Sequence, residues 1–256
     1  MFSGWFSKKG REKGSGNPED GDVPDFSFLG ADLHSHFIPG IDDGSPSMEV
    51  SLNMLRGMEQ MGYRKVITTP HVMIDFYPNT REKILEGFEA LKLAARDAQI
   101  NLELGVAAEY FIDEYFTDKI DTGELLTVRD KEVLVEFSMF SEPPMLKEVI
   151  FKLATRGYKP IIAHPERYNF LHGDFERFAD FKDRGCLLQL NLLSVSGYYG
   201  GGAKKMADRL LAEGLYDYCG TDAHHEKHIG SVKNLLHSKY IGMLAGYPFL
   251  NKTLCL

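Results

Sequence analysis

Two histidines one residue apart, followed by two adjacent aspartates, stand in "DLHSHFIPGIDDG", residues 32 to 44. His34 and His36 are two positions apart on what reads as a strand, so their side chains leave the same face and can share one ion. Further along, His71 ends "VITTPH", Glu109 closes "GVAAEY", His164 closes "IIAHP", and Asp222 with His224 closes "CGTDAH". Imidazole and carboxylate without thiolate suit Mn²⁺, Fe or Zn²⁺ better than Ca²⁺ or Mg²⁺. Five histidines with Glu109, Asp222 and Asp42 or Asp43 exceed the ligands of a single zinc, which points to a multinuclear centre in which Glu109 bridges two ions. Ions held this way generate hydroxide at neutral pH and neutralise the oxygens of a phosphoryl group, so hydrolysis is the expected reaction. Any one of these histidines alone is more often a loop or hydrogen-bonded core residue. The argument rests on their joint placement. His172, His225, His228 and His237 lack it and read as surface or supporting residues.

Placing these residues together requires strands that end at one edge. "LGADLHSH", "RKVITTPH", "LELGVAAEY", "KPIIAHP", "CLLQLNL" and "YDYCGTDAH" read as strands. Helices are expected over Ser47–Met61, Thr80–Ala98, Met145–Arg156, Asp174–Arg184 and Ala203–Glu213, with a hairpin over "LLTVRDKEVLVEF". The alternation predicts an α/β fold with a parallel sheet covered by helices, either open and doubly wound or closed as a barrel. In both, active sites assemble at the C-terminal ends of the strands. "MGYRK", "TRGYKP" and "AEGLYD" place Gly after an apolar helical run, where a left-handed residue stops the helix.

The chain of 256 residues is long enough for one α/β barrel. A formal net charge of −8 without a long basic block argues against holding nucleic acid. No run is long and apolar enough for a membrane span, and the N-terminus lacks the apolar stretch of a signal peptide. Cys186, Cys219 and Cys255 form neither a disulfide framework nor a zinc pattern, which fits the cytoplasm. Nor is Cys186 or Cys219 followed by the Cys-x5-Arg pattern of a thiol phosphatase. Residues 1–25 read as a flexible tail, whose Trp5 and Phe6 beside basic residues are weak candidates for membrane or partner contact. Residues 26–256 form the single predicted domain.

"DLHSHFIPGIDDG", "TTPH", "AEY", "AHPERY" and "NLLSVSGYYGGGAKKMADRLLAEGLYDYCGTDAHH" resemble the polymerase and histidinol phosphatase (PHP) superfamily. Within it they resemble the bacterial tyrosine-protein phosphatases of the CpsB and YwqE type, from about Leu29 to His225. The resemblance implies a distorted, TIM-like (β/α) barrel of seven strands with three metal ions, manganese before iron or zinc. It implies hydrolysis of phosphotyrosine on a bacterial tyrosine kinase that controls capsule or exopolysaccharide synthesis, and it is compatible with a homo-oligomer. Carried onto this chain, His34, His36, Glu109 and Asp222 would surround one ion, Glu109 and His164 would hold a second, and Asp43, His71 and His224 a third. Asp42 is then a supporting or loop residue. Asp32 is a candidate to orient a ligand imidazole, or simply a strand-start residue.

Arg167 in "HPERY" matches the arginine expected to grip phosphate; with His164 and Asp222 it is assigned to catalysis. Its structural alternative is a salt bridge with Glu166 or a surface carboxylate. "SGYYGGGAKK" suggests a mobile rim or plain loop, with Lys204 and Lys205 as candidates to attract an anion near a helix start, and Tyr198 and Tyr199 as partner contacts or rim packing. One departure concerns the arginine that the family carries shortly after DxH: here the chain reads "DAHHEKHIGSVKN", and Lys227 and His228 are candidates to replace it, although neither reproduces a bidentate fork. A small phosphomonoester substrate such as histidinol phosphate uses the same chemistry and is the alternative enzyme reading. A non-catalytic regulatory binding protein is the alternative from another class, disfavoured because every expected metal position is filled.

Overall fold

The structure is a computed structural model and describes residues 25–255. The tail expected over residues 1–25, with Trp5 and Phe6, lies outside the described residues except for Asp25. Among the described residues nine short strands carry the backbone: β1 (Ala31–Asp32), β2 (Lys65–Thr68), β3 (His71–Val72), β4 (Glu103–Val106), β5 (Glu109–Phe111), β6 (Glu132–Glu136), β7 (Lys159–Ala163), β8 (Leu187–Asn191) and β9 (Tyr218–Gly220). They are parallel throughout, in the orders β1-β2-β4 and β3-β5-β6-β7-β8-β9. Taking β2 with β3 and β4 with β5 as single interrupted strands turns the nine into the seven expected. The first and last of them meet at one parallel bridge, Ser35 to Ala223, with backbone bonds from His36 N to Ala223 O (3.0 Å) and from Asp222 N to His34 O (2.8 Å).

Helices pack outside the strands: α1 (Met48–Gln60), α2 (Arg81–Asp97), α3 (Glu114–Thr122), α4 (Leu146–Thr155), α5 (Glu176–Asp183), α6 (Gly201–Ala212), α7 (Glu226–Leu235) and α8 (Ile241–Gly246). The Ser47 and Thr80 side chains accept from the backbone N–H groups of Val50 and Lys83, capping α1 and α2 where polar residues precede the apolar run. The helix-stopping glycines Gly62, Gly157 and Gly214 all have positive φ. Four expectations need correction. The hairpin over "LLTVRDKEVLVEF" is a tight turn with one antiparallel bridge, Arg129 to Glu132, leading into the single strand β6. α3, α7 and α8 form where no helix was expected; Asp113 and His225 cap α3 and α7 through their side chains.

Ala31, Leu33, Ile67, Ala107, Leu134, Ile161, Ala163 and Tyr218 pack together as a small inner core, while a larger core joins the helices to the other strand faces. Side chains along a strand share a face every second residue, so Ala107 precedes Glu109, and Leu134 precedes Glu136, on the same inner face. An apolar floor therefore lies beneath a polar rim. The C-terminal segment stitches the meeting of β1 and β9 from below: Asn251 donates to Ala31 O (2.9 Å) and Cys219 O (2.7 Å), and its Oδ1 accepts from Cys219 N (3.0 Å).

Candidate functional site

All eight residues proposed as metal ligands converge at the C-terminal edge of the strands. Glu109, fully buried at 0 % exposure, lies at the centre. Its Oε2 is 3.1 Å from His34 Nε2, 3.5 Å from His36 Nε2 and 3.1 Å from His71 Nδ1, and its Oε1 is 3.2 Å from His164 Nε2. Asp222 Oδ1 lies 3.3 Å from His34 Nε2, 3.4 Å from His36 Nε2 and 3.4 Å from His224 Nδ1. Asp43 Oδ1 stands 3.4 Å from His71 Nε2 and 3.5 Å from His224 Nε2. The donor atoms fall into overlapping groups close enough to hold ions: His36, Asp43, His71 and His224; His34, His36 and Asp222; His34, Glu109 and His164; His71, Glu109 and Glu136.

Glu136 is the residue that the sequence reading missed. It ends β6, is 8 % exposed, and places Oε1 2.9 Å from His71 Nδ1 and Oε2 3.9 Å from His164 Nε2. The rule that selected Glu109, a carboxylate closing a strand, also selects "VLVEF" once that segment is read as a parallel strand instead of a hairpin arm.

Local backbone geometry aims these groups. Among the described residues only four other than glycine have positive φ, and two of them are His164 (33°) and Asp222 (50°). Each follows a strand and turns sharply so that its side chain faces back over the rim, a strained conformation of the kind found at functional sites. In the "GIDDG" turn, a Cβ on Gly44 would lie 2.3 Å from the His36 carbonyl oxygen, so no larger residue fits while the loop folds onto His36. Asp42 Oδ1 accepts from Gly44 N at 2.9 Å; its Oδ2 accepts from His71 N at 3.1 Å and lies 2.9 Å from His36 Nδ1. Gln189 Oε1 sits 2.9 Å from His34 Nδ1. Both pairings place the ring proton on Nδ1 of the neutral imidazole and leave an Nε2 lone pair facing inward, the arrangement that outer partners impose on metal-binding histidines.

Those two Nε2 atoms are 3.3 Å apart and face carboxylate oxygens. Lone pairs on nitrogen and oxygen repel unless a cation stands among them, and both Glu109 oxygens are buried without a hydrogen-bond partner. The donor set therefore fits bound metal. Where no metal ion stands among them a proton takes its place: burial lowers the His34 pKa, yet Glu109 and Asp222 outweigh it and raise it to about 9. Against the same burial cost, His34 and His71 hold the Glu109 carboxyl well below its usual range. Hydrogen bonds from His224 and His71 lower that of Asp43.

Arg167 reaches this site. Its Nη1 donates to Asp222 Oδ2 at 2.6 Å, and its guanidinium lies 4.2 Å from the centre of the Tyr199 ring. Asn191 donates to the same Asp222 oxygen at 3.0 Å and to the Tyr199 hydroxyl at 3.3 Å. Glu166 instead turns inward to accept from Ser194 Oγ, Tyr216 OH and Asn191 N, so the salt bridge alternative for Arg167 resolves to a carboxylate of the site itself. A cavity of ≈ 240 Å³ lies above, lined by Asp43, Arg167, Tyr199, Asp222, His224, His225 and His228. A larger cavity of ≈ 580 Å³, between α2 and β4, contains none of the strand-end residues.

Other candidates fall elsewhere. Asp32 touches no imidazole; it accepts from Thr221 N (2.9 Å) and Thr221 Oγ1 (2.7 Å), and burial raises its pKa to about 7. Lys204 pairs with Asp208 one turn on (2.7 Å) and Lys205 is exposed, so neither lines the cavity, because α6 turns them away while it presents Ala203 inward. Lys227 is exposed as well. His228 is buried and lines the cavity, its Nδ1 accepting from His224 N at 3.2 Å, while His237 is exposed and His172 bonds Glu166 O. Burial raises the pKa of Cys186 to about 12 and that of Cys219 well above its ordinary value, so neither thiol is available as a nucleophile.

The family model for capsular polysaccharide synthesis, CpsB/CapC, matches residues 30–240, a span that contains every one of these strand ends. The chain belongs to the CpsB/CapC family. Within that family it is 29 % identical over 200 residues to the tyrosine-protein phosphatase CpsB of Streptococcus pneumoniae, covering 76 % of this chain and 82 % of that one. It is 28 % identical over 197 residues to the tyrosine-protein phosphatase YwqE of Bacillus subtilis, covering 77 % and 78 %. The putative tyrosine-protein phosphatase CapC of Staphylococcus aureus matches at 26 % over 194 residues, 75 % and 76 % of the two chains. The fold superposes, with a TM-score of 0.74 and 25 % identity, on a chain from the crystal structures of YwqE from Bacillus subtilis and CpsB from Streptococcus pneumoniae, described as unique metal-dependent tyrosine phosphatases; 84 % of this chain and 89 % of that one are covered. A lactonase of Listeria monocytogenes shares the fold at a TM-score of 0.54 and 14 % identity. The CpsB/CapC chain thus carries the α/β fold of metal-dependent hydrolases.

Proposed function

We propose that this protein is a metal-dependent protein-tyrosine phosphatase whose substrate is the phosphorylated tail of a bacterial tyrosine kinase of capsule or exopolysaccharide synthesis, acting in the cytoplasm from the single domain 26–256. The observation that carries the reading is the set of overlapping donor groups around Glu109, whose buried oxygens have no other partner, with Arg167 standing over them. Five carboxylates, from Asp42, Asp43, Glu109, Glu136 and Asp222, converge there. A phosphate dianion enters such a field only where cations outweigh it.

His34, His36, Glu109 and Asp222 would hold one ion, Glu109 and His164 a second, and Asp43, His71 and His224 a third, with Glu136 a further donor beside His71 and Glu109 and manganese the expected metal. Bound there, divalent ions supply a water nucleophile at neutral pH and neutralise the phosphoryl oxygens. The chain's own residues do the rest. Asp42 and Gln189 fix the His36 and His34 rings in the tautomer that presents Nε2. Tyr199 supports the Arg167 guanidinium from beneath, and Asp222 engages one of its nitrogens, leaving the other donors to orient the phosphate as a planar fork. Asp222 and Asn191 keep that fork at a fixed height over the site.

A protein substrate is favoured over a small phosphomonoester by the rim. Ile74 and Phe76 after β3, Phe140 after β6 and Tyr198 after β8 are exposed large apolar groups on loops that follow the strands. Exposed apolar groups gathered beside a site mark contact with a macromolecule. Among the described residues no helix is long and apolar enough to cross a membrane. The test is turnover of a phosphotyrosine peptide against histidinol phosphate and a phosphoserine peptide, with Mn²⁺ and then with chelator. Chelator-sensitive preference for phosphotyrosine is expected. Preference for histidinol phosphate refutes the protein substrate, and full turnover in chelator refutes the metal.

A further inference from the structure

We propose that the cavity beside the metal site, lined by Met139, Phe140, Arg167, Asn169, Tyr199 and Ala203, is the subsite that receives the aromatic ring of the phosphorylated residue. The inference rests on the phosphatase reading and adds to it the residues that select an aryl ester.

This cavity, ≈ 200 Å³, shares Arg167 and Tyr199 with the ≈ 240 Å³ cavity over the strand ends. The stacked guanidinium and phenol therefore form a common wall between the two spaces. The chemistry of the spaces differs. One is faced by Asp43, Asp222, His224 and His228, the other by Met139, Phe140, Asn169 and Ala203, with no carboxylate among its lining residues. An aryl phosphate has the same division: a dianionic head one ester oxygen away from a flat apolar ring. With the head held by Arg167, which lines both cavities, a ring directed away from the strand ends enters the second one and meets an apolar side chain of its lining. That side chain is Phe140, 85 % exposed and the most exposed large apolar residue described. Its position is costly in water and useful against a ring. A phosphoserine places a single methylene there and leaves most of the cavity empty.

The assay compares phenylphosphonate with methylphosphonate, two non-hydrolysable ligands that share the head and differ in the ring, by calorimetry on Mn²⁺-loaded protein. The wild type is expected to bind the phenyl ligand about tenfold more tightly, the scale of one favourable aromatic contact plus partial burial. Phe140→Ala removes an exposed side chain with little risk to folding; it is expected to reduce that preference about three- to tenfold while methylphosphonate binds as before. Ala203→Leu, which enlarges another side chain of the lining, should act in the same direction. Equal affinity of the wild type for both ligands overturns the subsite and leaves the phosphatase reading standing. So does a phenyl preference that survives both substitutions. Failure of metal-loaded protein to bind either ligand overturns the phosphate site itself and the subsite with it.

Discussion

Replacing Asn251 with Ala should destabilise the protein and loosen its metal site from a distance, although Asn251 touches none of the proposed ligands. The meeting of β1 and β9 has no continuous ladder. It is held at three levels: by Asn251 at the bottom, by Asp32 accepting from Thr221 in the middle, and by the backbone bonds of His34 and His36 with Asp222 and Ala223 at the top. Asn251→Ala removes three hydrogen bonds to backbone groups, besides a weak one from the Cys219 thiol, at a fully buried position and orphans the Ala31 and Cys219 carbonyls and the Cys219 N–H. At about 1 to 1.5 kcal/mol each, the loss is about 3 to 5 kcal/mol, a large part of a typical 5–15 kcal/mol stability. For a domain of this size it corresponds to a fall in Tm of roughly 10 °C. The same seam sets the 3.3 Å approach of His34 to Asp222, so the variant should also need more metal for half-maximal activity. Thermal unfolding of chelator-treated wild type, Asn251→Ala and the exposed neighbour variant Lys252→Ala gives the comparison, with Lys252→Ala expected to behave as wild type. A Tm for Asn251→Ala within about 2 °C of wild type would refute the reasoning that side chains hold this seam.

Glu136→Gln keeps the size of the side chain and removes its charge; metal affinity measured by calorimetry should fall at least about tenfold for one ion, and unchanged stoichiometry and affinity would remove Glu136 from the site. Arg167→Lys loses the planar fork and the stack on Tyr199, so KM for an aryl phosphate should rise about ten- to a hundredfold with metal content unchanged; an unaltered KM refutes the phosphate role. In the metal-free protein the buried carboxylates raise the His34 pKa to about 9, so that it binds a second ring proton at pH 7, and His71 and His224 are also shifted upward. Ion and proton compete for the same nitrogens, so metal affinity should increase as pH rises toward 9 and binding should release protons. Calorimetry in buffers of different ionisation enthalpy reads that release directly, and enthalpies independent of buffer would contradict it.

The residues that the sequence revealed are those whose type is dictated by the chemistry. Only a few side chains bind a cation of this class, so a histidine, aspartate or glutamate near the ends of most strands of an alternating α/β pattern stands out, and His34, His36, His71, Glu109, His164, Asp222 and His224 do converge. Glu136 obeys the same rule and was hidden because a parallel strand of five residues, preceded by a turn, has the pattern of a hairpin arm. Lys204 and Lys205 misled for a different reason: proximity in sequence to a helix start says nothing about rotation, and one turn of α6 is enough to give Lys204 to Asp208. The supporting residues were harder still. Holding an imidazole needs only an acceptor at the right point in space, which Asp42 supplies for His36 and Gln189 for His34. Carboxylate and amide serve equally, so position selects the residue and composition does not. Yet Gln189 and Asn191 are alternate polar residues in the otherwise apolar "CLLQLNL", fully buried on one strand. Two amides burying their hydrogen-bonding capacity on the same face require partners across from them, and those partners are His34 and Asp222. A buried polar pair at a spacing of two, in a strand adjacent to one that ends in ligands, is therefore a sequence signal for the groups that orient a metal site, as readable as the ligands once the parallel order of strands is known.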